Sequence, residues 1–303
     1  MKFNSGQMVA WLQSLTILLT FAGLGLALYQ IDMSAIANID WRYFSLAILL
    51  AIFGFVIQGA TWWWSVKQQS FEYLLIDGIR EHGVTIFAKY IPGKVLMIMG
   101  RAALTHQTTH LSVKQLGLLS LSNQIITLLA SVPILLIAFI VTPTFLADEV
   151  FKNHLSWPLL IILFVGFCIF IYALLQLRSR KRNWFDAIFS VGNLGVFVLA
   201  SASWVFFSLG FSLLLMALGM PFSFGHGSVF VIAAVIGIVA IIFPGGLGIR
   251  EAGISGMLIA SGVATETAIQ AAILSRLWFL IGELVIFLLS TPRLKHSKAR
   301  SSN

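Results

Sequence analysis

The feature that most constrains this chain is the recurrence of uninterrupted apolar runs, each long enough to cross a bilayer as a helix of about 20 residues. Inside hydrocarbon the backbone must satisfy its own hydrogen bonds, so only helices and closed barrels cross a membrane. Barrel strands are short and alternate in polarity, whereas these runs are long and continuously apolar. The sequence therefore predicts an all-α polytopic membrane protein. Six runs predict full crossings: 8–29, 43–66, 116–142, 158–177, 194–218 and 268–290.

Composition excludes a soluble globular protein. Hydrophobic residues make up 59% of the chain and charged residues 10%, whereas a soluble domain carries roughly 25% charged residues. The lone cysteine, Cys168, lies in an apolar run and has no partner for an intramolecular disulfide. The first run exceeds a signal-peptide core and lacks a small-x-small cleavage site, which predicts a retained first span. We expect one membrane domain over residues 1–303, without enzymatic activity and without a cofactor.

Two further apolar stretches, 84–104 and 228–262, are broken by Pro-Gly pairs. Basic and non-basic loops alternate along the chain only if each broken stretch returns to the side from which it came. The net charge of +8 therefore follows the positive-inside rule and does not indicate nucleic-acid binding. We expect six crossings and two re-entrant segments in the cytoplasmic (inner) membrane. Both termini are then cytoplasmic, and residues 291–303 form a basic C-terminal tail on that side.

The two Pro-Gly pairs also reveal an internal repeat. Pro92-Gly93 and Pro244-Gly245 lie 152 positions apart, and this offset places the first-half runs almost onto the second-half runs. The pseudo-repeats 1–150 and 151–295 then hold three crossings each, and an odd number inverts the second half relative to the first. Inverted repeats with interrupted helices are typical of transporters with a site near the midplane. The alternative is chance spacing of similar helices.

The second break holds the richest candidate site, Pro244-Gly245-Gly246-Leu247-Gly248-Ile249-Arg250-Glu251. Pro244 removes a helix donor and the glycines permit unusual backbone conformations, so a new half-helix should start near Ile249. Its free N–H groups suit an anionic headgroup, and Arg250 adds a two-pronged phosphate contact. Glu251 would neutralise a neighbour or carry a proton. The alternative is a polar hairpin tip that merely turns the chain.

The first break has the same construction, with Pro92 and Gly93 followed by Arg101. Lys89 and Lys94 flank the turn. These lysines indicate either a phosphate-attracting vestibule or the ordinary enrichment of cytoplasmic loops in basic residues. Arg101 is a stronger candidate, because only apolar residues and glycine separate it from Lys94.

The last run contains two charges, Arg276 and Glu283. Seven residues are two helical turns, so both side chains lie on one face about 10 Å apart. Charges within a span are costly and are functional candidates; the alternative is a buried ion-pair network with Arg250 and Glu251. The repeat offset places Asn123 and Gln124 at the same depth in the first half.

Three histidines, His82, His106 and His110, lie close in sequence without a carboxylate or cysteine to complete a metal set. We therefore predict no metal site.

The two broken motifs together, Pro92-Gly93…Arg101 and Pro244 to Glu251, resemble the flippase-like membrane domain of lysyl-phosphatidylglycerol synthases and their stand-alone relatives. The resemblance covers roughly residues 5–290. It implies movement of a lipid between leaflets, or a part in assembling envelope lipids with a biosynthetic enzyme as partner. Full synthases add an aminoacyl transferase domain, whereas this sequence continues about a dozen residues past its last predicted span. We therefore do not expect synthase activity.

The sequence analysis leaves three functions open. The first is translocation of an anionic or lipid-linked envelope lipid. The second is ion- or proton-coupled transport of a small solute through Glu251 and Glu283. The third is a non-transporting membrane scaffold for a glycan or lipid synthesis enzyme.

The alternating loops predict which positions are accessible from outside the cell. Single cysteines introduced into 143–157 and 219–227 should react with an impermeant maleimide in intact cells. Cysteines in 178–193 or the C-terminal tail should react only after permeabilisation. External labelling of 178–193 would contradict the six-crossing topology.

Overall fold

The structure, a computed structural model, describes residues 39–70, 72–90, 95–141, 193–239, 246 and 248–291. The predicted runs 8–29 and 158–177, the basic tail and Cys168 lie outside these ranges, as do Pro92, Gly93, Pro244 and Gly245. Regular secondary structure in the described ranges is entirely helical. The helices are α1 (Trp41–Lys67), α2 (Leu75–Thr85), α3 (Val95–His106), α4 (Val113–Leu129), α5 (Val132–Val141), α6 (Asn193–Ala217), α7 (Phe224–Val239), α8 (Ile249–Ala260) and α9 (Thr265–Ser290). A 3-10 helix, Ile86–Tyr90, follows α2.

Four helical stretches are long and apolar enough to cross a membrane: Trp41–Lys67, Val113–Ala138, Asn193–Ala217 and Thr265–Ser290. They confirm the predicted runs 43–66, 116–142, 194–218 and 268–290 to within a few residues. The second stretch comprises α4 and most of α5, with a turn at Ala130 and Ser131. Pro133 explains the break, because it cannot donate a helical hydrogen bond and is tolerated only in the first turn of α5.

Local signals set the helix starts. Asp40 caps α1 by accepting a hydrogen bond from the Arg42 amide at 2.9 Å. Ser112 and Gln115 form a reciprocal capping box at the start of α4. The first turn of α8 is closed by Glu251, whose carboxylate accepts from the Gly248 amide at 2.8 Å. The predicted half-helix start near Ile249 is confirmed.

The first broken stretch is a helical hairpin, here called hairpin 1 (α2, the 3-10 helix and α3). Its arms run antiparallel, since Glu81 contacts Thr105 and a Cβ on Gly100 would lie 3.7 Å from Thr85. Both of its ends lie at the Lys67 end of α1. Residues from the α1 end, the start of hairpin 1, its return arm and α4 form one apolar cluster: Trp62, Val66, Tyr73, Ala102, Leu116 and Leu119.

The second broken stretch forms hairpin 2 (α7 and α8). A Cβ on Gly253 would lie 3.6 Å from Ala233, and one on Gly237 would lie 3.7 Å from Arg250, so α8 runs back along α7. Gly246 sits at the turn with φ +71, and a Cβ there would lie 3.0 Å from the Gly237 Cα. Gly246 is thus required for two reasons, as predicted for this break: its backbone is left-handed, and it lies too close to Gly237 to carry a side chain.

The 152-residue offset relates the described halves element by element. It carries the start of α1 at Trp41 to the start of α6 at Asn193, and the start of α4 at Val113 to the start of α9 at Thr265. The equivalent helices α1 and α6 are antiparallel. The Asp40 amide donates to the Ala217 carbonyl at 3.0 Å, whereas Gly195 at the other end faces Trp64. The repeat is therefore inverted; the exact bounds 1–150 and 151–295 stay a prediction.

The surface of the described helices has the polarity that a bilayer requires. Large apolar side chains such as Leu46, Phe53 and Val198 are exposed, while charged residues such as Arg101 and Glu283 are buried. The exposed apolar faces of α1 and α6 suit contact with lipid, and the polar groups lie between the helices.

Close packing between α1 and hairpin 1 predicts a specific sensitivity to volume. A Cβ on Gly78 would lie 2.5 Å from Trp63 Cβ and 2.8 Å from its Cα. Gly78→Ala should therefore destabilise the protein by about 1–3 kcal/mol, the usual cost of overpacking. Thermal unfolding of the purified protein in one detergent measures the change.

Gly256→Ala is the matched control, because this glycine is also helical and a Cβ there meets no atom within 4 Å. It should be neutral or slightly stabilising, since alanine favours helix over glycine. Equal unfolding temperatures for the two variants would contradict the described packing.

Candidate functional site

The tip of hairpin 1 is anchored on the middle of α9. Lys89 forms an ion pair with Glu283, and the Tyr90 hydroxyl donates to the other Glu283 oxygen at 2.8 Å. The Glu283 side chain has 0% exposure. A carboxylate so deeply buried is tolerated only with a cation and further hydrogen bonds, and here the hairpin supplies both.

Hairpin 2 is anchored two helical turns away on the same helix. Arg276 of α9 donates to Glu251 Oε1 at 2.7 Å, while the other Glu251 oxygen accepts from Gly248. Arg250 Nε lies 4.0 Å from Glu251 Oε1. Glu251 therefore joins the start of α8 to α9 and leaves Arg250 only weakly paired.

The two hairpin tips meet across one aromatic ring of α9. Lys89 Nζ lies 4.9 Å from the Phe279 ring centroid, and the Arg250 guanidinium lies 5.2 Å from the same centroid. Phe230 of α7 faces Arg250 at 5.2 Å as well. Cations stacked on aromatic rings gain about 0.5–2 kcal/mol each, so these rings help to hold both Lys89, which Glu283 also neutralises, and Arg250.

Between the hairpins lies a cavity of about 120 Å³. Three cations line it, Lys89, Arg101 and Arg250, and the carboxylates of the described residues are all absent from its lining. The uncharged polar side chains of the lining are Gln58, His82, Tyr90 and Gln124. Trp204, Phe207 and Phe279 contribute apolar walls. The cavity therefore combines a positive lining with a low-polarity surround, in which charges interact more strongly than in water.

Three N–H groups on the cavity-lining side chains are buried without a hydrogen-bond partner in the described structure: Arg101 Nε, Arg250 Nε and His82 Nε2. Arg101 is 3% exposed; it contacts His82 Nδ1 at 3.1 Å and covers the Trp62 ring at 5.3 Å. Because arginine has only donors, His82 Nδ1 accepts and Nε2 carries the ring proton. Buried donors are normally satisfied, and because these three belong to residues of one cavity lining, the cavity is a candidate site for an acceptor.

A separate polar cluster holds hairpin 1 on α1. Glu81 is 3% exposed and accepts from Trp62 Nε1 at 3.0 Å, from Tyr73 and from Thr105. Burial and the adjacent Glu81 carboxyl raise the pKa of Tyr73 above its usual range, which keeps the phenol a donor. Glu81 lies outside the cavity lining and serves to position the arm that carries Arg101.

The structure brings together most of the predicted charged residues. Arg101, Arg250 and Gln124 line the cavity, whereas Glu251 and Arg276 flank it as an ion pair. The predicted alternative of one ion-pair network joining Arg250, Glu251, Arg276 and Glu283 is met for the first three residues, because both arginines lie within 4.0 Å of Glu251. Glu283 pairs with Lys89 of the other hairpin.

Three predicted residues have a structural place instead. Asn123 donates to the Thr61 carbonyl at 3.1 Å and to Ser65 at 3.0 Å, so it fixes α4 against α1. Gly246 lies at the turn of hairpin 2, and Gly248, with φ +81, caps α8. Binding roles for all the predicted site residues stay predictions.

Among the polar lining residues, sequence reasoning missed His82 and Gln58. For Lys89 the sequence left two interpretations open, a phosphate-attracting vestibule or ordinary positive-inside placement, and the structure puts Lys89 in the cavity lining. His82 is considered from the sequence only as a metal ligand. Gln58 was overlooked, although an amide in the middle of a predicted span is itself a signal for a polar interior. Within the described residues, no group of three His, Cys, Asp or Glu side chains is placed to hold a metal ion.

Comparison with known proteins adds one finding. A family model described as "Lysylphosphatidylglycerol synthase TM region" matches residues 11–286. No curated protein matches the chain.

The Lys89–Glu283 pair predicts a stability effect with an internal rescue. Glu283→Gln should destabilise the protein by about 3–5 kcal/mol, because it leaves a partly buried cation without its counter-charge. The double variant Lys89→Met with Glu283→Gln should recover most of the loss. Glu266→Gln, at the exposed start of α9, is the control. Thermal unfolding in lipid nanodiscs measures all three, and a single variant as stable as the control would contradict the pairing.

Proposed function

Because the chain belongs to the family of lysylphosphatidylglycerol synthase TM regions, we propose that it moves a lipid with an anionic headgroup between the two leaflets of the cytoplasmic membrane. The observation that carries the proposal is the set of three unpartnered N–H donors that belong to residues lining one cavity, two of them guanidinium groups. A guanidinium binds two phosphate oxygens at once in a planar fork. Phosphate is the anionic group that membrane lipids share.

In the proposed mechanism the headgroup enters the cavity between hairpins 1 and 2 while the acyl chains stay in the bilayer. Arg101 and Arg250 replace the water that the phosphate loses. The hairpins then shift relative to each other and to α9, which exposes the cavity to the opposite leaflet. Inverted repeats support such alternating access, because two similar halves reach mirror-related states. The step breaks no covalent bond, and we propose no enzymatic activity.

Both hairpins are proposed to be re-entrant. Hairpin 1 has its two ends at the same end of α1, and its tip reaches Glu283 in the interior of the 26-residue helix α9. Such a segment enters and leaves on one side of the bilayer. The positive-inside rule assigns that side, and both chain termini, to the cytoplasm.

The proposal predicts that the shape of the two guanidinium groups matters for transport. Arg250→Lys and Arg101→Lys should each slow translocation by about tenfold or more, because hydrogen bonds to a charged group contribute about 1.5–3 kcal/mol and lysine loses the fork. The assay follows fluorescent phosphatidylglycerol in proteoliposomes, with dithionite quenching the outer leaflet. Arg42→Lys, an exposed arginine at the start of α1, is the matched control.

Variants based on Arg250→Ala distinguish a loss of stability from a loss of transport. Glu251 keeps its bond to Arg276, so Arg250→Ala should retain normal abundance and lose transport. Adding Glu251→Gln should not restore it. Full transport by the double variant would show that Arg250 and Glu251 form a structural pair only. Wild-type protein without translocation, but with a bound synthesis enzyme, would favour the scaffold.

A further inference from the structure

We infer that the protein has a second lipid site, a groove on its bilayer-facing surface that holds one acyl chain of a phospholipid and places the phosphate of that lipid at Lys67. The groove lies between α1, α6 and the first turn of α2, and its volume is about 510 Å³. Ligand pockets in proteins commonly measure about 300–1,000 Å³. The inference does not depend on the proposed function, because the groove and the cavity between the hairpins share no lining residue.

The groove and the cavity lie on different faces of the same two helices. Helix α1 contributes Gln58 to the cavity and Ala60 to the groove, and two residues correspond to about 200° of helical rotation. Helix α6 contributes Trp204 to the cavity and Val198 to the groove, about 120° apart by the same periodicity. Because α1 and α2 belong to the first half of the repeat and α6 to the second, a lipid in the groove contacts both halves.

The walls of the groove match a hydrocarbon chain. Four of the lining side chains are exposed at their surface, Trp64 to 38%, Leu75 to 44%, Val198 to 58% and Leu194 to 64%. Within the described residues, the lining contains no charged side chain. In a protein that spans a membrane, exposed apolar surface of this kind faces lipid tails.

The aromatic wall is fixed before any ligand binds. The Trp63 indole N–H donates to the Tyr73 carbonyl at 3.1 Å. Trp64 lies directly over Gly195, where a Cβ would come within 2.3 Å of its ring. The two tryptophan rings contact each other edge to face with centroids 5.6 Å apart. A preformed wall loses little conformational freedom on binding, which favours one held lipid over loose surface contact.

The polar end of the groove carries one cation. Lys67 is exposed at the last residue of α1, and its Nζ lies 4.6 Å from the centroid of the groove-lining Trp63 ring. Among the residues that the structure describes, no carboxylate pairs with Lys67. Of the two acids that follow it in sequence, Asp77 is paired with Arg80 at 3.6 Å and Glu72 is exposed.

Tryptophan and lysine at the end of a span are typical of the membrane–water interface. Lys67 therefore lies at headgroup depth, and the groove extends from there along α1 toward Ala60 in the hydrocarbon. Lysine binds phosphate as a point charge. A cation at the interface beside an apolar groove matches the phosphate and the acyl chain of a phospholipid at once.

Photo-labelling of the purified full chain tests the inference. Phosphatidylglycerol with a diazirine on one acyl chain is added in equimolar amount to delipidated protein in detergent, and the labelled residues are located by peptide mass spectrometry. We expect the label to concentrate in residues 60–64 and 194–199. Val198→Trp should lower this label by about fivefold or more, because the larger ring overpacks the groove. Leu49→Trp, at another exposed position of α1, should leave it unchanged.

The charge at the rim has its own variant. Lys67→Gln should lower the groove label about fivefold, the factor given by about 1 kcal/mol per basic residue at an anionic membrane surface. Lys114→Gln, which removes an exposed lysine at the start of α4, is the matched control. Equal labelling of these two variants, or wild-type label spread evenly over the exposed apolar helix faces, would overturn the inference. The wild-type pattern decides this even if Val198→Trp fails to fold.

A photo-reactive benzoylphenylalanine at position 198, introduced in cells, identifies the occupant in the native membrane. An adduct with the mass of a phospholipid, reduced by Lys67→Gln, would support the inference. A cross-link to a second copy, or to another segment of the same chain, would overturn it and assign the groove to protein packing.

Discussion

The fully buried carboxylate of Glu283 is the constraint on which the arrangement of this protein depends. A charge in the middle of an apolar helix is tolerated only when a partner comes to it. Here the partners come from the tip of hairpin 1, where Lys89 and Tyr90 take one oxygen each. Two helical turns earlier, Arg276 holds Glu251 of hairpin 2 in the same way. One helix thus fixes both interruptions of the chain, and the cavity is the space left between them.

The scaffold is pseudo-symmetric, but the charges are not. The 152-residue offset relates helix to helix, yet it carries Lys89 to Ile241 and Arg101 to Gly253. Arg250 corresponds to Ile98, and Glu283 to Ser131. Duplication explains the two hairpins and the antiparallel α1–α6 pair. The charged lining residues are distributed unequally between the two halves, with two lining cations from hairpin 1 and one from hairpin 2.

Polar groups in the interior fall into two kinds. Glu81, Asn123 and Glu283 have their hydrogen bonds made within the chain and join helices to one another. The Nε donors of Arg101 and Arg250 have no hydrogen-bond partner in the described structure and so do not join helices in this way. An unsatisfied buried donor costs about 1–3 kcal/mol. Two arginines and a histidine with such donors around one cavity are therefore a cost to folding that a bound anion would offset, which is the physical basis of the proposed site.

The sequence by itself determined the fold class, the four described spans and the two breaks, because hydrocarbon permits long apolar helices and Pro-Gly pairs interrupt them. It also predicted an inverted repeat, and the antiparallel arrangement of α1 and α6, which the 152-residue offset relates, agrees with that prediction. It singled out five charged residues as unusual, because an ionised side chain within a membrane segment is energetically costly and is usually paired or functional. These residues are Arg101, Arg250, Glu251, Arg276 and Glu283. The sequence did not determine which acidic side chain pairs with which basic side chain. Only the tertiary structure paired Glu283 with Lys89, 194 residues away in sequence, left Arg101 and Arg250 with unpartnered donors, and assigned Asn123 to helix packing. Pairing depends on how two hairpins and one helix meet in three dimensions, and helical periodicity describes only the faces of single elements.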